Sequence, residues 1–190
     1  MPIAQILDLL RTELAPELAW RRVLEICKLH HASALWETLP AVDIDGDAEA
    51  IRGWLATSLE GVAGPVGLCL GLDTLNMRDG AGTNLELGWK RACAAGSDDI
   101  GWVFERLEHG SSTLIVGLVA LQAEYRQDRW NELSGMADHV LSLAYSGVVL
   151  AQALRHLERQ DPLLAAWGFH DGDLFALCRC SAGTFEMICR

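Results

Sequence analysis

The stretch Trp130–Gln160 reads WNELSGMADHVLSLAYSGVVLAQALRHLERQ and contains no proline. Between Val140 and Leu154 its only polar side chains are Ser142, Ser146 and Gln152. A helix that is apolar nearly all round is buried rather than lying on a surface. We therefore expect Trp130–Gln160 to form a long central helix. One line of small residues along it would let another element approach the backbone closely: Ala137, Ala144, Gly147 and Ala151.

Before this stretch, the apolar spacing predicts three helices, over Pro2–Leu14, from Pro16 to about Glu37, and over Asp47–Glu60. The period then changes to two, which is typical of strands. Val66, Leu68, Leu70 and Leu72 share one face of the first strand, and glycines, Cys69 and Asp73 share the other. A second strand over Asn84–Arg91 would complete an antiparallel hairpin.

Further along, Ser97 can cap a fourth helix that reaches Leu107, and Ser111 or Ser112 can cap a fifth. Asp161-Pro162 stops the central helix and can open one short helical turn over Leu163–Trp167. The chain ends in a second predicted hairpin. Its strands are Leu174–Cys180 and Thr184–Cys189, joined by a three-residue loop that sets Cys180 opposite Thr184.

The fold class is therefore predicted as α+β, with about six helices around the long helix and four antiparallel strands in two hairpins. All 190 residues are assigned to one compact domain. Its segments are helical 1–62, hairpin 66–91, helical 98–167 and C-terminal hairpin 174–189.

Charge limits the classes of partner. The net charge is -11, from 15 basic and 26 acidic residues. Nucleic acid and anionic membranes are disfavoured, because binding phosphate requires clustered Lys and Arg. A basic protein partner is favoured. Six cysteines without a secretory signal predict reduced thiols and a cytoplasmic location, and no apolar run is long enough for a membrane span.

The acidic stretch Asp43–Glu49 resembles the beginning of a calcium loop. An EF-hand loop requires glycine at its sixth position and glutamate at its twelfth. Counted from Asp43, these positions hold Ala48 and Trp54. We therefore interpret the stretch as an acidic turn that caps a helix, because Asp favours N-caps.

Two places could carry catalysis. His170-Asp171 could act as a general base or bind a metal, although a polar turn before a strand is the simpler interpretation. Cys69 lies between Gly67 and Gly71 and could be a nucleophile if a histidine were near. The cysteine spacing is wrong for zinc, so we predict no metal site and no cofactor.

The leading hypothesis is a protein without catalysis that recognises a basic protein partner. It would be an inhibitor of the immunity type or a chaperone of the secretion type. The predicted contact residues are Asp43, Asp45, Asp47, Arg78, Asp79, Trp36 and Trp102. The alternatives are an enzyme of unrecognised type, a hydrolase using His170, Asp171 or Cys69, and a homodimer formed through the exposed face of a hairpin.

Overall fold

The computed structural model describes residues 2–30, 34–39, 41–73, 83–91, 99–127, 133–169 and 172–190. Within these ranges, side chains are described except at residues 35, 125–127 and 133–138. The protein is an α+β structure in which helices pack on one face of a mixed sheet.

The described residues form six α-helices. They are α1 (Pro2–Leu10), α2 (Pro16–His30), α3 (Leu35–Thr38), α4 (Ile44–Ser58), α5 (Val116–Gln127) and α6 (Leu133–Arg155). Helix α4 begins earlier than predicted, because the Asp43 side chain caps it by accepting a hydrogen bond from the Gly46 amide at 2.9 Å.

Six strands, rather than the four predicted, form a single sheet in the order β3-β2-β1-β4-β5-β6. The strands are β1 (Val66–Asp73), β2 (Asn84–Arg91), β3 (Glu108–Leu114), β4 (Leu163–Phe169), β5 (Leu174–Ser181) and β6 (Thr184–Met187). Strands β1 and β4 run parallel at the centre, and the other neighbours are antiparallel. The sheet is therefore mixed, and it joins the two predicted hairpins through β1 and β4.

The first hairpin follows its prediction. Strands β1 and β2 have the predicted bounds, and their register sets Leu70 opposite Leu87. The bulky face of β1 packs into the main core, as its alternation indicated, and Cys69 lies on the other face.

The predicted helical turn over Leu163–Trp167 is wrong, since these residues belong to strand β4. All seven residues of β4 are buried. Leu163, Ala165 and Trp167 face the helices, whereas Leu164 and Ala166 pack on the opposite face of the sheet. A strand that is apolar on both faces has no alternation, so its sequence resembles that of a buried helix.

The predicted fourth helix is also wrong. Gly101–Phe104 is a single turn of 3-10 helix, and β3 occupies Glu108–Leu114, where Ser111 and Ser112 were predicted to cap a helix. Trp102 and Val103 cover part of the sheet face that bears Cys69. The apolar spacing of this segment thus reflects contact with a sheet rather than one face of a helix.

The C-terminal hairpin has a different register from the one predicted. Its loop is the two-residue turn Ala182-Gly183, with φ of 46° and 81°, and Cys180 lies opposite Phe185 rather than Thr184. Positive φ at both central residues is the requirement of the type I′ turn. Because the register shifts by one residue, Cys178 and Cys180 share a face with Phe185 and Met187, not with Glu186.

Helix α6 packs against α1, α2, α4, α5 and the strands β4 to β6. It ends at Arg155, earlier than the predicted Gln160, and residues 130–132 lie outside the described residues. The Trp167 indole packs over its Gly147, where an added Cβ would lie 2.9 Å from the ring. The Trp167 Nε1 also donates to the Leu143 carbonyl at 3.3 Å. Small residues on α6 therefore admit the sheet at close range.

Candidate functional site

The exposed part of the acidic stretch lies on the first two turns of α4. Asp43 caps the helix, and Asp45 and Glu49 project from it into solvent. Negative side chains near a helix N-terminus are stabilised by its dipole, so the local fold tolerates this charge density. The stretch therefore presents carboxyl groups without depending on a partner to neutralise them.

These carboxyl groups border a cleft of about 260 Å³ between α4 and the C-terminal end of α6. The cleft is lined by Asp45, Ala48, Glu49, Arg52, Gln152, Ala153 and His156. Its floor is made by the two alanines, which are buried where the helices meet. Longer polar side chains stand around this floor, so the helix contact leaves a recess with a polar rim.

Few strong contacts occupy the rim. Gln152 Nε2 donates to Asp45 Oδ1 at 3.5 Å, the outer limit of a hydrogen bond. Arg52 pairs with Glu49 at 2.9 Å, and the Glu49 side chain is 75% exposed. Exposed pairs of this kind contribute little and exchange readily. The carboxyl groups of Asp45 and Glu49 are therefore available to a positively charged group entering the cleft.

A small apolar niche of about 30 Å³ adjoins the cleft and shares Gln152 with it. It lies where the corner between α1 and α2 meets α6. Its apolar lining comes from Leu9, Leu10, Leu14, Pro16, Ala19, Val148, Ala151 and Met187. Glu13, which has a φ of 50°, and Arg155 stand among these residues. The cleft and niche together join acidic and apolar surface.

Asp47 does not belong to this exposed surface. It is 8% exposed, and its Oδ2 accepts hydrogen bonds from the Gly117 amide and the Tyr145 hydroxyl, each at 2.8 Å. The Tyr145 pKa is raised well above its ordinary value, first by burial and then by Asp47. Asp47 therefore connects α4 to α5 and α6 from inside the protein.

The two tryptophans named as contact residues are also buried. Trp36 is 5% exposed within the main core, and Trp102 is 9% exposed in the cluster on the opposite face of the sheet. Large aromatic side chains contribute to binding when a partner can cover them. In this chain, Trp36 and Trp102 contribute to packing, and a role for them in binding stays a prediction.

The remaining candidates fall into two groups. Arg78, Asp79, His170 and Asp171 lie outside the described residues. Cys69 is 8% exposed, and burial raises its pKa to about 11. A buried thiol with a raised pKa stays protonated at neutral pH and is a weak nucleophile.

Within the part of the chain that the structure describes, no three His, Cys, Asp or Glu side chains are arranged to hold a metal ion. The helices described there include none with the length and apolarity needed to cross a membrane.

Gln152 and His156 line the cleft but were not predicted as site residues. Gln152 stood out in the sequence as a polar residue within an apolar run, which is a signal that its side chain has a special place. Gln152 lies at the rim of the cleft because α4 packs against α6. The pattern along one helix does not predict which other helix will pack against it.

Comparison of the chain with protein-family models, with curated proteins and with solved structures finds no significant match to any of them.

Proposed function

We propose that this chain is an acidic protein-binding protein without catalysis, and that the cleft between α4 and α6 receives a basic side chain of a protein partner. The observation that carries the proposal is the recess itself. Two carboxyl groups, of Asp45 and Glu49, border a space of about 260 Å³ and have only weak or exposed partners of their own.

The charge of the whole chain supports the same conclusion. A net charge of -11 accelerates encounter with a basic protein and repels acidic ones. The long-range field brings the partner to the surface, and the cleft gives the local contact that orients it. The apolar niche beside Gln152 would accept a small apolar side chain next to the basic one.

Two kinds of binding protein fit this description. An inhibitor of the immunity type would bind its folded partner and block a basic active surface. A chaperone of the secretion type would bind an extended segment of a partner that has not folded. The two differ in a measurable way, because a chaperone's complex is lost once the partner has folded, whereas an inhibitor's complex persists.

The experiment is capture of partners from a lysate of the source cell on the immobilised full chain, at low and at high salt. The proposal expects one stoichiometric basic protein that elutes as salt rises, since salt screens surface charges. Mass spectrometry identifies the protein, and its binding is then measured after refolding and after denaturation. Failure to retain any protein at either salt concentration would contradict the proposal.

The alternative, an enzyme of unrecognised type using His170, Asp171 or Cys69, gains no support from an observation on the described residues. Light scattering on the purified chain tests the remaining alternative, a homodimer. A dimer whose apparent mass is unaffected by neutralising Asp45 and Glu49 would indicate self-association elsewhere on the surface.

A further inference from the structure

The apolar niche between the α1–α2 corner and α6 carries charged residues of both signs at its border. Its walls are mostly aliphatic, with Leu10, Val148 and Met187 among them. Glu13 of the corner and Arg155 of α6 border the same space. A recess with a mainly apolar lining and a few convergent polar groups is typical of a site for a small molecule. The niche therefore has the composition of a ligand site.

Neither charge is neutralised by another residue that the structure describes. Glu13 is exposed, and no ion pair among the described residues includes it or Arg155. The Arg155 guanidinium lies over the Phe185 ring, with its Cζ 4.8 Å from the ring centroid. Contact with a ring face holds the guanidinium in place but uses none of its five N–H donors. Arg155 can therefore donate to an anion at the niche.

The backbone at Glu13 is also unusual. Its φ of 50° lies in the left-handed region, which side chains other than Asn and Asp rarely adopt. The corner holds it there, because α1 ends at Leu10 and α2 begins at Pro16. Strained backbone of this kind persists where the surrounding structure enforces it, and it is frequent at binding sites. The strain at Glu13 keeps an acidic residue at the edge of the niche.

Gln152 adds an acceptor at the border that the niche shares with the cleft. Its Nε2 donates to Asp45 Oδ1 at 3.5 Å, so its Oε1 is the atom that can accept from a ligand. Glu13 and Gln152 can together accept from an ammonium group, and Arg155 can donate to a carboxylate. A ligand with both of these groups and an apolar side chain matches the niche.

We propose that the niche binds a free α-amino acid with a small aliphatic side chain, and that valine fits it best. The α-carboxylate lies on Arg155, the α-ammonium group faces Glu13 and Gln152, and the side chain enters the niche. This small-molecule site does not depend on the basic protein partner proposed for the cleft, and its test uses the chain alone.

The size of the niche limits the side chain. The niche has a volume of about 30 Å³. Since a cavity needs about 10–15 Å³ to hold one water-sized group, it takes roughly two or three such groups. This is the size of the isopropyl group of valine. The ring of phenylalanine exceeds the space, and glycine brings no apolar surface to bury there.

The first test is calorimetric titration of the full chain with L-valine. It should show saturable binding of one molecule per chain, with a Kd of about 1 mM or lower. N-acetylvaline lacks the ammonium group, valine methyl ester lacks the carboxylate, and phenylalanine is too large. Each should bind at least about tenfold more weakly than valine, because a charged hydrogen bond or the fit of the side chain is lost.

Variants then test the two charged residues. Glu13→Gln and Arg155→Gln should each weaken valine binding about tenfold or more. Glu17→Gln and Arg21→Gln are matched controls, since they remove the same charges from exposed positions on α2 that do not border the niche. They should leave the Kd within about twofold of wild type. Thermal unfolding checks that every variant is folded.

Filling the niche gives an independent result. Ala151 lines the niche, so Ala151→Leu should place the chain's own atoms there and abolish valine binding. The series of ligands on the wild type requires no variant and decides the question if a variant fails to fold.

The absence of binding at about 10 mM valine would overturn the inference. Equal affinities for valine, N-acetylvaline and valine methyl ester would also overturn it, since they would leave only an apolar contact. Capture of a basic protein is measured separately, so a failure of the amino-acid site is distinguishable from a failure of the proposed function.

Discussion

The hydroxyl of Tyr145 on α6 donates a hydrogen bond of 2.8 Å to Oδ2 of Asp47 on α4, and both residues are buried. The Gly117 amide of α5 donates to the same oxygen. Three helices therefore meet at one carboxyl group. This polar junction lies beneath the surface that presents Asp45. Asp47 therefore has a structural role in α4, whereas Asp45 is exposed.

Tyr145→Phe should lower the free energy of unfolding by about 1.5–3 kcal/mol, the usual contribution of a hydrogen bond to a charged group. The substitution keeps the ring, so packing against Trp20 is retained and the loss reports on the hydroxyl. Urea unfolding measures it. The exposed Asp45→Asn serves as control and should change stability by less than about 0.5 kcal/mol. An equal effect of the two variants would contradict a structural role for the junction.

Replacing each of two glycines by alanine should change the stability of the protein in opposite directions. A Cβ at Gly117 would lie 2.6 Å from Asp47 Oδ2 and closer still to the Tyr145 hydroxyl, whereas one at Gly53 would meet nothing within 4 Å. Gly117→Ala should destabilise by roughly 1–3 kcal/mol, because buried groups must shift. Gly53→Ala, in the exposed middle of α4, should stabilise by about 0.5–1 kcal/mol. Thermal and urea unfolding of both variants check the signs, and the same sign for both would refute this interpretation.

Arg159 lies in the connection between α6 and β4, and it bonds to the connection between α4 and β1. Its Nη1 and Nη2 donate to the carbonyls of Val62 and Gly64 at 3.0 and 2.8 Å, and its side chain is 11% exposed. Arg159→Ala should cost roughly 2–3 kcal/mol, since a charged donor is lost from two carbonyls. Arg22→Ala removes only an exposed pair with Glu25 and should cost less than about 1 kcal/mol. Similar denaturation midpoints for the two variants would contradict a stabilising role for the bonds from Arg159 to the two carbonyls.

Stability should fall in alkali. Burial raises the pKa of Cys27 and Cys69 from 9.0 to about 11. Above pH 9.0 the unfolded chain loses protons that the folded chain still holds, so the contribution is complete below that pH and is lost as pH rises toward 11. Between these pH values, each thiol should lower the free energy of unfolding by about 1.4 kcal/mol per pH unit.

Urea unfolding at about pH 8 and about pH 10 measures this slope. Cys69→Ala should make it shallower. A free energy of unfolding that stays constant between the two pH values would contradict the assignment of these thiols as buried and neutral.

The elements that the sequence predicted well are those with one buried face. Strand β1 alternates because its two faces differ, and α1 and α2 show the helical period for the same reason. Their predicted ends were wrong, since α1 ends at Leu10 rather than Leu14 and α2 at His30 rather than about Glu37. Strand β4 could not be identified, because both its faces are buried and its period vanishes. Ile100, Val103 and Leu107 have helical spacing, but they pack on a sheet. A pattern reports which positions are buried and leaves the element that buries them undetermined.

The same limit applies to the candidate site. Asp47 was grouped with the exposed acids because the helix was predicted to start there. With the observed start at Ile44, Asp47 falls at the spacing of the buried residues Ile51 and Leu55. That signal was present in the sequence once the cap at Asp43 was placed correctly. The sequence contained no comparable signal for the contribution of Gln152 to the cleft, because that contribution depends on how α6 packs on α4.

The most direct test of the proposed function is the dissociation constant of the captured partner for two double variants of equal charge change. Asp45→Asn with Glu49→Gln neutralises the cleft. Glu108→Gln with Glu186→Gln neutralises two exposed carboxyl groups on the edge strands β3 and β6. The cleft variant should bind about tenfold more weakly or worse, a loss of at least about 1.4 kcal/mol, while the edge variant stays within about twofold of wild type. Equal weakening by both variants would show that only net charge matters, and would contradict a binding site in the cleft.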